Sequence, residues 1–150
     1  MKAFHFRLTT LQKLREAERQ RRQLELAQAL EAERILNDQI AEIRREIAAA
    51  KNSVREKSQP GEINVDALLE LQRYGLQLRA QALTLAQQLE QVRVETERRR
   101  QVLVEADRQV QTLDKLRDQQ WQTHQREELH REQKIIDEMA QKRTAQEART

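Results

Sequence analysis

The sequence predicts an all-α protein: a long two-helix antiparallel coiled-coil hairpin with an overhanging C-terminal helix. Three observations lead there. Ala, Glu, Leu, Arg and Gln dominate, all good helix formers, and only two glycines and one proline punctuate the 150 residues. Apolar residues recur at alternating steps of three and four, the spacing of a coiled-coil seam. A single stretch, Lys57-Ser58-Gln59-Pro60-Gly61-Glu62-Ile63-Asn64, carries the chemistry of a turn.

The composition explains why a hairpin is expected instead of a globule. Hydrophobic residues make up 37% of the chain, charged residues 35% and aromatics 3%, too little apolar material to enclose a wide core. What remains is one apolar stripe per helix, buried against another helix. A mean hydropathy of -0.97 would by itself suit disorder. Disordered chains, however, are rich in Pro, Ser and Gly, which are scarce here. The net charge of +3 is the small difference between 28 basic and 25 acidic side chains, so bulk electrostatics names no partner. Without cysteine there is no disulfide framework, thiolate nucleophile or cysteine metal site, which fits a reducing compartment. No apolar run approaches the roughly 20 residues that span a bilayer, and a soluble cytoplasmic protein is expected.

Each element follows in order within a single expected domain, 1–150. The first helix should cover about 4–57. Its start falls between Phe4 and Thr9: Phe4, Leu8 and Leu11 keep helical spacing, while Thr9 and Gln12 would form a capping box. The turn occupies about 58–64. Asn64 can cap the second helix, about 65–147, which opens with Asp66 near its positive end. Its seam reads Leu68, Leu71, Gly75, Leu78, Ala82, Leu85, Leu89, Val92, Thr96, Arg99, Leu103, Ala106, Val110 and Leu113. The matching series in the first helix is Leu26, Ala29, Glu33, Leu36, Ile40, Ile43, Ile47, Ala50 and Val54.

If the chain reverses at Pro60-Gly61, facing residues have numbers that add to a constant, and here they add to 121 or 122. Ile47 meets Gly75, Ile40 meets Ala82 and Ala29 meets Val92, an expected large-with-small interdigitation, with each buried Leu or Ile contributing about 1.5–3 kcal/mol. The same constant pairs Leu11 with Val110 and Leu8 with Leu113. Beyond about Arg117 the first helix has run out. The last thirty or so residues are therefore expected to lack an internal partner and to extend as a lone helix on the order of 45 Å long.

No catalytic constellation emerges. His124 and His130 are six apart, on different helix faces, whereas metal ligation on a helix favours a spacing of four. The two glycines are too far apart for a phosphate loop, and carboxylates on a solvated helix have no water-excluded pocket in which to act. No enzymatic activity, cofactor or metal is expected. Arg19, Arg21 and Arg22 should face Arg98, Arg99 and Arg100 as a charged node. It is read chiefly as a polar stretch that Glu16, Glu18, Glu25, Glu95 and Glu97 neutralise and that fixes register, with a docking patch for an acidic surface as the alternative. The interleaved glutamates and the lack of stacking aromatics argue against nucleic acid. Leu69, Leu76 and Leu83 repeat every seven residues, one position after the seam, with Tyr74 alongside. They either widen the buried face or form a partner stripe. In the tail, Trp121, Ile135, Ile136 and Met139 call for a partner surface.

The N-terminal Phe6-Arg7-Leu8 followed by Leu11, Leu14 and Arg15, and above all the tail Arg131-Glu132-Gln133-Lys134-Ile135-Ile136-Asp137-Glu138-Met139-Ala140, resemble the flagellar export protein FliJ family. Gln133, Lys134, Asp137, Glu138 and Ala140 match that family's closing motif residue for residue. The resemblance implies a component of the flagellar type III export apparatus, serving motility and chemotaxis and similar to the central stalk of rotary ATP synthases. It implies an export ATPase hexamer, the cytoplasmic part of the membrane export gate and export chaperones as partners, at the inner membrane of the flagellar base. Phe4, Leu8, Leu116, Trp121, Gln133, Lys134, Asp137, Glu138 and Met139 are the candidate ATPase contacts, and Leu69, Tyr74, Leu76 and Leu83 a second partner surface. The alternatives are a self-associating scaffold and the stalk of a virulence type III system. A stalk is expected to be monomeric alone.

Overall fold

A computed structural model describes residues 2–61 and 63–150. Two helices, α1 (Thr9–Lys57) and α2 (Val65–Glu147), pack against each other as a helical hairpin, with no strand among the described residues. Pro60 and Gly61 lie in the reversal between them. Gly61 has φ 157, a conformation that favours glycine, so the turn needs that residue type. Glu62, part of the expected turn, lies outside the described residues. Asn64 caps α2 as expected: its side-chain oxygen accepts from the Ala67 amide at 3.3 Å. Arg55 and Lys57 sit in the last turn of α1, where the partial negative charge of the helix end favours them.

The residues form two compact units, Arg21–Val104 and Met1–Gln20 with Glu105–Thr150. In the first unit, burial follows the heptad series closely. Ala29, Ile40, Ala50, Leu78, Leu89 and Thr96 are buried, and Leu26, Leu36, Ile43, Ile47, Val54, Leu68, Leu71, Leu85 and Val92 are half-buried. Glu33 stands at a seam position and meets Arg93 at 3.4 Å, a polar rung where the α1 series lacks an apolar residue. The packing at Gly75 differs from expectation. A Cβ built there would meet nothing within 4 Å, so Ile47 does not interdigitate with it. A cleft of about 370 Å³ lies there instead, lined in part by Ile47, Ala50, Val54 and Leu71.

The second unit overturns three expectations. The capping box does not form. Thr9 Oγ1 donates to the Phe6 carbonyl at 2.6 Å, and Gln12, only 7% exposed, turns its amide across to Asp114 at 2.6 Å. A buried amide gains more from a charged acceptor than from an exposed helix end. Leu8 does not take the seam place opposite Leu113. It is exposed, and Phe6, from the non-helical segment before α1, is buried in the unit that also buries Ala106, Val110 and Leu113. A phenyl ring removes more apolar surface from water than a leucine, and the non-helical chain leaves Phe6 free to turn inward. Polar contacts cross between the helices from Arg15 to Gln109 at 2.9 Å and from Arg19 to Asp107 at 3.2 Å. For Gln12 with Asp114 and Arg19 with Asp107 the numbers add to 126 instead of 121 or 122. Long side chains lean toward the N-terminus of their own helix, which shifts antiparallel contacts in this direction. The tail also departs from expectation, because the segment before α1 packs against it.

Candidate functional site

Residues 2–8 are not helical and lie as an arm against α2. The ring of Phe4 sits 5.7 Å from that of His124, tilted by 44°. His124 Nε2 lies 3.0 Å from the Lys2 carbonyl oxygen, to which it donates. Arm and helix enclose a cleft of about 340 Å³ lined by Lys2, Phe4, Trp121, His124, Gln125, Glu128, Leu129 and Glu132. The tail is therefore not without an internal partner from Arg117 onward. The bare stretch begins further out, after Glu132: every residue from Gln133 to Thr150 is exposed.

The candidate tail residues divide accordingly. Phe4 and Leu116 are half-buried, Leu8 and Trp121 partly open, and Gln133, Lys134, Asp137, Glu138 and Met139 fully on the surface. Helix geometry puts Ile136 and Met139 on the same side of α2 as Trp121 and Leu129, all within about 80° at 100° per residue. The outer part of this face is an apolar strip, with Lys134, Asp137 and Glu138 round the other half of the helix. Phe6, His124 and the Gln12–Asp114 pair are the residues that periodicity missed. A phenylalanine out of helical phase is the one sequence signal that pointed to the arm.

The leucine stripe is at the surface. Leu69, Leu76 and Leu83 are 46%, 63% and 63% exposed, so they do not widen the buried seam. Tyr74 hydrogen-bonds through its hydroxyl to Glu46 at 3.1 Å, and that carboxylate raises the phenol pKa. At the arginine node, Arg99 donates to the Glu25 carbonyl at 2.6 Å and to Glu95 at 2.8 Å. Glu95 also accepts from Arg98, and these hydrogen bonds hold its carboxyl at about 2, below the usual carboxylate range. Arg22 pairs with Glu25, and Arg100 with Glu97. Arg19 is paired with Asp107, not with the glutamates expected for it. Carboxylates thus engage the node, and its arginines brace the seam. Among the described residues no group of three or more His, Asp or Glu side chains could hold a metal. No described helix is long and apolar enough to cross a membrane.

A model of the flagellar FliJ protein family matches residues 4–149, nearly the whole sequence. This chain belongs to that family. No individual curated protein and no solved structure matches it. As a FliJ-family protein it is a component of the flagellar type III export apparatus, built on a helical coiled coil. The match takes in the arm from Phe4 onward and the tail as far as Arg149.

Proposed function

We propose that this FliJ-family protein binds the hexameric export ATPase and stimulates it as a central stalk, with the outer tail of α2 as its principal contact. The supporting observation is the bare helix beyond Glu132, which displays Ile135, Ile136 and Met139 on one side and Gln133, Lys134, Asp137 and Glu138 on the other. A helix with no tertiary packing draws little stability from propensity alone, and the exposed apolar strip is the kind of surface a helix- and loop-lined pore can grip. Trp121 and Leu116, with Phe4 and Leu8 of the arm, stand at its base. The second surface, Leu69, Leu76 and Leu83 with Tyr74, is assigned to the cytoplasmic part of the export gate or to export chaperones. The protein then works in the cytoplasm, peripherally at the inner membrane of the flagellar base, supporting motility and chemotaxis. It does so without cofactor or chemistry of its own.

The test is a chain ending at Glu132 added to the purified export ATPase. Loss of stimulation, with helicity per residue retained, is the expected result. Normal stimulation by the shortened chain would place recognition elsewhere and sink the tail reading. Paired Asp137→Ala and Glu138→Ala changes should weaken stimulation more mildly, because they leave the apolar strip in place.

A further inference from the structure

The cleft between arm and tail splits one continuous face. Trp121, Gln125, Leu129, Glu132, Ile136 and Met139 fall within about 80° on α2, yet Lys2 and Phe4 of the arm border only the inner part of this strip, across the cleft. Outward of Glu132 every residue of the strip is exposed. A partner helix laid along the whole face would collide with Lys2 and Phe4. We propose that the arm ahead of Phe6 is a displaceable cover, which shields the root of the tail's recognition face in the free protein and leaves when the partner docks. This rests on the docking reading above, and it gives Phe4 the role of cover instead of contact.

The arm is built for release. Lys2, Ala3 and His5 are exposed, whereas Phe6 is 5% exposed and stays anchored. Ahead of Phe6, the described residues are held to α2 by a hydrogen bond from His124 to the Lys2 carbonyl and a tilted ring contact between His124 and Phe4. Against these stands the conformational freedom regained by four residues. Release is by competition: a partner offering apolar area to Trp121 and Leu129 replaces the phenyl ring and also gains the outer strip, which the arm does not reach.

Trp121 is the sole tryptophan of the chain, so its fluorescence reports the cover directly. Acrylamide quenching should be roughly twofold stronger in Phe4→Ala than in the unaltered protein, with helicity unchanged because Phe6 is kept. His124→Ala, which removes both contacts from the other side, should do the same. The affinity of Phe4→Ala for the export ATPase should rise several-fold, as no arm remains to be displaced. Unchanged quenching in both variants would show that the arm does not shield Trp121 and would overturn the proposal. So would stronger quenching with weaker binding, since the arm would then be a direct contact. An ATPase that ignores the unaltered chain defeats the stalk reading alone, and quenching then decides the cover by itself.

Discussion

Gly75 stands at a seam position of α2 where the heptad pattern calls for an apolar side chain, and its absent Cβ opens the cleft beside Ile47 and Leu71. Its backbone is ordinary helix, so no left-handed conformation requires glycine here. Glycine inside a helix costs about 1 kcal/mol relative to alanine, and the new methyl group would meet open space. Gly75→Ala should therefore raise the melting temperature, by about 2–4 °C for a chain of this size, in thermal circular dichroism. A fall would mean that the gap is needed, for example to admit a partner side chain. Gly61 is the opposite case, because its φ of 157 leaves little room for any other residue. Sequence alone flagged both glycines but could not tell them apart: the difference is a backbone angle in one and an empty neighbourhood in the other.

The N-terminal segment and the tail carry the largest departures from the pattern. Phe4, Leu8 and Leu11 keep helical spacing, yet α1 opens only at Thr9. Burying Phe6 and pairing Gln12 with Asp114 outweigh one further turn of helix, which would gain little where α1 has no packing to add. The position of the tail's free end follows from this. Ending the chain after Glu132 should leave the melting temperature close to that of the full protein, since it removes only exposed residues. Ending it after Arg117 also removes Trp121, His124 and Leu129, the seat of the arm. A loss of about 1–2 kcal/mol is expected there, the worth of one neutral hydrogen bond and one aromatic contact. Equal melting of the two truncations would show that the arm contributes nothing to stability.

For the whole molecule, the apolar seam residues from Leu26 to Thr96 are buried or half-buried within one chain, so the seam itself does not need a second copy to complete it. The protein alone should sediment as a monomer at micromolar concentration. A concentration-dependent dimer that Leu76→Glu dissolves would instead make the leucine stripe a self-association surface and favour a scaffold. How far the sequence reaches is visible in particular residues. Heptad spacing determined two helices, the reversal at Pro60-Gly61, and nearly every buried position from Leu26 to Thr96. That works because a two-helix seam uses only the local 3.6-residue period and one fold-back point. Periodicity also left Leu69, Leu76 and Leu83 undecided, and only the tertiary structure put them at the surface. It alone decided that Phe6 displaces Leu8, that Gln12 abandons its cap for Asp114, and that the arm covers the root of the tail. These choices rest on contacts between residues about a hundred positions apart, made by the first turn of α1 and the non-helical arm before it, and a local period does not report such contacts.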